Sequence, residues 1–363
     1  MIARSYQRGH AGSVLVGDVA PGAAHVEAIG MTTTHSVDGD LVQWGERLFY
    51  PGSRIVKTSP LPRLSGSVWQ RAQGIRNRIH ATVTLRAPQV MVKVTGGGRG
   101  MAAIAAHFRY ISKNGQLTIE DDRRVDHQGK EALRDLVDQW RFGGSFIDEV
   151  SHRREAFNIM LSMPRGTDPD AVKGAAREFA QTELAGHRWL MVLHDHQANP
   201  HVHLSVRAES ISGLRLNPRK GDLQRWRETF AEKLRDRDIQ AEATRQFTRG
   251  ANRSHDALWR IKAKDDDRLR KVSADVKTGK TYELSRRAAI VAWAHVVVAL
   301  EYSHDPWDQS LAKDARRFLS ESAFFKEVVK RRQRERVVEV RPEPKPIVRP
   351  VVTRDRSGPE MER

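Results

Sequence analysis

Four of the chain's 15 histidines fall within ten positions, in His194-Asp195-His196-Gln197-Ala198-Asn199-Pro200-His201-Val202-His203. Apolar runs flank the segment, RWLMVL over 188–193 and VHLSVRA over 202–208, so both sides read as strands. Residues two apart on a strand share a face, so His201 and His203 project together while Val202 packs inward. Two imidazoles on one strand face are half of a metal site. The Asn-Pro turn can return His194 or His196 as a third nitrogen, leaving positions open for water or substrate. The chain has no cysteine, which excludes disulfides, zinc ribbons, iron–sulfur clusters and thiol nucleophiles and fits a reducing cytoplasm. Because open histidine sites also serve metal hydrolases, the spacing points to a divalent cation before it points to a substrate.

A nucleophile must come from elsewhere, and Tyr110 is the candidate among five tyrosines because it alone shares the folded core with the histidines. A free tyrosine hydroxyl, with a pKa of about 10, is a weak nucleophile. Metal polarisation of a phosphodiester and a nearby base make it competent. Its neighbours Arg109 and Lys113 suit a phosphate. The cluster Gly96-Gly97-Gly98-Arg99-Gly100 opens the same segment. No acid follows at the distance a dinucleotide fingerprint needs, so its amides and Arg99 would instead suit a phosphate. Arg219 and Lys220, at another predicted helix start, are further phosphate contacts.

The elements that position these residues follow from periodicity. QVMVKV over 89–94 is a strand stopped by the glycines, and Met101, Ile104, Ala105, Phe108 and Ile111 recur at helical spacing over 99–112, closed by Asn114-Gly115. An Asp-rich loop over 120–130 leads to a short helix over 131–140 and a Phe-Gly-Gly-Ser turn. EAFNIMLSM over 155–163 is a strand, and Asp168-Pro169-Asp170 starts a helix to about residue 185. After the histidine hairpin, Leu223, Trp226, Phe230 and Leu234 mark an amphipathic helix.

Outside this core, residues 1–87 read as a poorly ordered or loosely packed basic arm, residues 251–335 as basic helical segments and residues 336–363 as a proline-spaced charged tail. The mostly apolar run 288–300, interrupted only by His295, is too short to span a bilayer and predicts a buried helix. No secretory leader is legible, so a soluble cytoplasmic protein without membrane insertion is expected. Lys and Arg total 62 against 45 Asp and Glu, a formal charge of +17. That balance favours polyanionic partners through phosphate contacts and counterion release.

Val92-Lys93-Val94-Thr95-Gly96-Gly97-Gly98-Arg99-Gly100, then His107 to Gly115, then the His194–His203 cluster resemble, in order and spacing over about 88–250, the conjugative relaxases of the HUH endonuclease superfamily. The resemblance implies an α+β fold, an antiparallel sheet with packed helices. It implies that Tyr110 attacks single-stranded DNA at a transfer origin and stays joined to its 5′ end. His201 and His203, with His194 as third ligand, would bind Mg²⁺ or Mn²⁺. Ser162 matches a serine that contacts DNA near the nick. Many related sequences carry His-x-Asp where this chain has His194-Asp195-His196, which puts His196 in the acid's place as base or ligand. Accessory mobilisation proteins and a secretion coupling protein are the implied partners. A rolling-circle replication initiator would share the chemistry, although the order of tyrosine before histidines argues against it. A non-enzymatic nucleic-acid binder would need no histidine cluster.

Overall fold

The computed structural model describes residues 36–50, 64, 66–251, 279–323 and 326–327, which form eight helices and six strands. The strands are β1 (Met91–Gly96), β2 (Ile119–Asp121), β3 (Asp126–His127), β4 (Ala156–Ser162), β5 (Trp189–His194) and β6 (His201–Arg207). They make one sheet in the order β1-β4-β6-β5-β2-β3, with every neighbouring pair antiparallel. The α+β class is as the resemblance implies.

Alternation of the strand residues divides the sheet into two faces. Ile159, Leu161, Val202, Leu204 and Val206 point to one face and bury against α5 (Pro169–Glu183) and α6 (Lys220–Arg235), whose Phe179, Trp226 and Phe230 fill that core. Asp168 caps α5 by accepting from the amides of Asp170 and Ala171, and Pro169 occupies the first turn, where no amide partner is needed. Leu190 and Val192 point to the other face. There they meet Ile104, Phe108 and Ile111 of α3 (Met101–Ile111) and Leu136 and Trp140 of α4 (Lys130–Phe142). Burying each such side chain contributes roughly 1.5–3 kcal/mol.

Two departures from the sequence reading stand out. The stretch 120–130, expected as a loop, contains β2 and β3. Two of its acids are buried: Glu120 meets Arg177 and Lys173, while Asp121 accepts from Arg123 and from the Val125 amide.

Within the expected arm 1–87, α1 (Val37–Phe49) and α2 (Val68–Val83) are packed helices, a correction to the loose arm over those residues. Ser36 and Ser67 cap them. Their apolar faces bury against α7 (Lys280–Glu301) and α8 (Pro306–Glu321), making a second core from Leu41, Ile75, Ile79, Trp293, Val296 and Leu311 among others. Arg76 of α2 ties the unit together through Asp38 at 2.7 Å and the fully buried Asp308 at 2.8 Å. The segment after α6 joins this unit to the sheet domain: Glu242 pairs with Arg78 at 2.9 Å, and the Thr248 carbonyl accepts from Trp293 Nε1 at 2.7 Å.

The apolar run 288–300 lies in α7, with Ala289, Ala292, Trp293 and Val296 buried. The expectations for residues 1–35, 51–63, 65, 252–278, 324–325 and 328–335 and for the tail 336–363 lie outside the described residues. Among the described residues no helix is long and apolar enough to cross a membrane.

Candidate metal centre and nucleophile

The sheet register brings the histidines together. β6 lies between β4 and β5, and its His201 stands opposite His194 on one side and Ser162 on the other. One ligand nitrogen from each of His194, His201 and His203 lies within 4.8 Å of the others. The ring centroids of His194 and His203 are 4.6 Å apart, and those of His201 and His203 are 5.1 Å apart.

Backbone carbonyls fix two of the three rings. His194 Nε2 donates to the Ile111 carbonyl at 2.7 Å, and His201 Nδ1 donates to the Asn199 carbonyl at 2.9 Å. A carbonyl can only accept, so these bonds set the tautomers and leave His194 Nδ1 and His201 Nε2 as bare lone pairs. Burial holds His203 in its neutral form, pushing its pKa down to about 3 with help from the neighbouring His194, His201 and His107. Burial likewise lowers His194, opposed by its bond to Ile111 and aided by His201, His196 and Lys113. Three clustered imidazoles, two of them with tautomers fixed by backbone carbonyls, fit a divalent cation.

The end of α3 supplies both the anchor and the candidate nucleophile. Lys113, Asn114 and Gly115 all adopt positive φ, which stops the helix. The Gly115 amide donates to Ser112 Oγ at 3.0 Å rather than continuing the helical ladder, so the Ile111 carbonyl is free to receive His194. One residue earlier, Tyr110 is 71% exposed, with its ring centroid 6.5 Å from that of His203. His107, one turn back on the same helix, lies 6.4 Å from both rings, and its Nε2 is buried with no hydrogen-bond partner. His107 is a neighbour of the site to which its sequence context assigns no role, and its i, i+3 spacing from Tyr110 is the available signal.

The other predicted contacts divide by location. Lys113 is near enough to act electrostatically on His194, whereas Arg109 is exposed on α3 beside Tyr110. Ser162 is buried in the row of His201, its hydroxyl donating to the Pro200 carbonyl at 3.3 Å. His196 is exposed, 5.2 Å ring to ring from His194, and outside the three-nitrogen group. Arg99 is exposed at the opposite end of α3 from Tyr110. Just after the glycine cluster, the Met101 and Ala102 amides at the start of α3 donate to the Asp148 and Glu149 carbonyls at 2.8 and 3.2 Å. Arg219 and Lys220 begin α6, on the sheet face away from the histidines.

Two comparisons bear on this geometry. The profile described as "Relaxase: MobA/VirD2-like, nuclease domain" matches residues 110–239, which run from Tyr110 past the end of α6. The chain is also 26% identical over 141 residues to the T-DNA border endonuclease VirD2 of Rhizobium radiobacter, a match covering 34% of this chain and 33% of that protein. The aligned stretch thus spans about a third of the relative's length. With Tyr110 opening the matched stretch and all three clustered histidines inside it, residues 110–239 are similar to a relaxase nuclease domain of the MobA/VirD2-like type.

Proposed function

We propose that the protein is a strand-nicking transesterase acting on single-stranded or melted DNA at a transfer origin, and that it stays joined to the 5′ end through Tyr110. The observation that carries this reading is the exposed Tyr110 ring 6.5 Å from His203, at the edge of the histidine cluster. The relaxase-type nuclease domain over 110–239 supports it.

His194, His201 and His203 would hold a divalent cation, Mg²⁺ or Mn²⁺. Mn²⁺ suits an all-imidazole set better, because Mg²⁺ prefers oxygen ligands. When bound, the cation supplies electron withdrawal from the scissile phosphate and neutralises charge that develops on it. Tyr110 Oη forms a bond to phosphorus as the bond from phosphorus to the 3′ oxygen breaks. The tyrosyl proton passes to a base, for which His196 is the candidate, and the departing 3′ oxygen takes up a proton. The new phosphodiester conserves the bond energy, so the strand can later be rejoined. Arg109, Lys113 and Ser162 serve the phosphate near the nick. Arg99 serves a different phosphate at the far end of α3, and Arg219 and Lys220 serve DNA outside the reaction centre. The setting we assign is cytoplasmic, in conjugative mobilisation with accessory and secretion coupling proteins, and the nuclease unit spans about 88–250.

The test uses a supercoiled plasmid carrying the transfer origin beside the encoding gene. Relaxation with Mn²⁺, its arrest by a chelator and its return on adding Mn²⁺ are the expected results. No relaxation of that plasmid at any metal concentration overturns the enzymatic reading in favour of a nucleic-acid binder.

A further inference from the structure

The face of the sheet that carries the histidines is covered on one half only. α3 and α4 pack over β2 and β5 and reach Ala156 at the start of β4, whereas no residue of β1 joins the core they form. On the uncovered half, Met91 and Lys93 of β1 are exposed, and Asn158 and Met160 of β4 are partly so. The register aligns these residues with the site. Met91 pairs with Ser162, which pairs with His201; Lys93 pairs with Met160, which pairs with His203. Cross-strand partners share a face, so Lys93 stands in the row of His203 two strands away, about 10 Å at the usual strand spacing. Among the described residues Lys93 makes no ion pair, whereas Arg177, Arg153 and Arg215 on the same domain are tied to buried or half-buried carboxylates. The wall of this lane is the α3 surface carrying the small Ala103 and Ala106 and ending in His107 and Tyr110.

We infer that this open lane, floored by β1 and β4 and walled by α3, is the path of a single DNA strand to the histidine cluster, with Lys93 holding a backbone phosphate adjoining the one at His203. The inference rests on the proposed DNA-nicking function and adds to it the strand's route and a positioning residue. Charge favours this occupant. An unpaired lysine beside an open histidine site draws a phosphodiester, and the chain's net charge of +17 draws the polyanion as a whole. Beside Lys93 and Asn158, the thioethers of Met91 and Met160 give unpaired bases a polarizable surface to lie on. A floor that alternates charge with soft apolar groups matches a single strand, in which phosphates and base faces are both accessible.

The absence of cysteine from the chain makes the route directly testable. Met91→Cys creates a unique thiol on the lane, and Glu232→Cys creates one on the exposed side of α6, on the opposite face. Each is labelled with a thiol-directed aryl azide and irradiated with a short labelled single-stranded oligonucleotide from the transfer origin. Crosslinking from position 91 and not from position 232 is expected. Crosslinking from 232 alone, or none from 91 in a protein that binds the oligonucleotide, overturns the lane. In parallel, Lys93→Ala should reduce the slope of log affinity against log salt by about 0.7, one phosphate's worth of counterion release. Lys93→Arg should restore the slope, with the thermal midpoint and metal stoichiometry unchanged in both variants. A Lys93→Ala slope equal to the parent's overturns the phosphate contact. A parent chain that binds no single-stranded DNA instead overturns the proposed function beneath it, so the two failures are distinguishable.

Discussion

At the scale of residues, the site depends on where a few lone pairs point. Ala at His201 or His203 should abolish metal binding measured by calorimetry while leaving the far-ultraviolet dichroism unchanged, because neither ring lies in an apolar core cluster. Parent-like metal binding in both variants would place the centre elsewhere. His194 differs, since its Nε2 is the hydrogen-bond partner of Ile111. His194→Ala should lose metal and also about 1 kcal/mol of stability, measured as a shift in denaturant midpoint. Alternation along 201–203 made the shared face of His201 and His203 legible in sequence. The sequence left the third nitrogen open between His194 and His196 because both lie at a strand end. What favours His194 is a carbonyl 83 residues away, made available by the way α3 stops. Lys93 was equally hidden: its alternation with Met91 is local, but its place in the row of His203 follows only from the strand order.

At the scale of elements, α3 must be held in register for Tyr110 to reach the cluster. Gly100 precedes it with φ 98°, and a Cβ there would sit 2.3 Å from the Glu149 carbonyl oxygen. Gly100→Ala therefore meets both a strained backbone and a clash. It should cost about 1–3 kcal/mol, seen in the thermal midpoint, and reduce nicking more than DNA binding. Unchanged stability and nicking would show that the start of α3 is not the constraint. On the other edge, Glu120 of β2 is buried against Arg177 and Lys173 of α5. Its burial alone would raise its pKa, but the two cations outweigh that and hold it below the ordinary glutamate value. A carboxylate with a depressed folded-state pKa adds stability that is complete above its unfolded pKa and is lost as pH falls through the folded one. The stability difference between parent and Glu120→Gln should therefore be largest near neutral pH and shrink as pH falls below about 4.5. A difference independent of pH would assign the effect to packing. The strands carrying the histidines were readable from apolar alternation; β2 and β3, of three and two residues, were not. Their evidence is pairing with β5 and a buried ion network, both long-range, and the local pattern is that of a charged loop.

At the scale of the whole molecule, the helical unit joins two segments of the sequence, Val37–Val83 and Lys280–Glu321, with the sheet domain between them. The helical spacing of Leu41, Val42, Leu48 and Phe49 is present in the sequence, but short apolar pieces among Gly, Ser and Thr gave no sign of the distant partner that buries them. Removing residues 1–87 should therefore strip half of this second core and expose the apolar faces of α7 and α8, giving aggregation in light scattering. A monodisperse truncated protein with the parent's helix content would contradict that packing. Asp308→Ala should cost about 3–5 kcal/mol, because it leaves Arg76 buried with one carboxylate fewer. Chemical denaturation measures the loss. The central claim is that the full chain becomes covalently joined to DNA through Tyr110, and it is tested most directly on the adduct itself. The parent and Tyr110→Phe are each mixed with a labelled single strand bearing the transfer origin and Mn²⁺, boiled in detergent and separated on a denaturing gel, with any adduct digested for peptide mass analysis. The account predicts a boiling-resistant adduct from the parent whose nucleotide mass maps to the peptide containing Tyr110, and none from Tyr110→Phe; an adduct that persists in Tyr110→Phe, or that maps to another tyrosine, would contradict it.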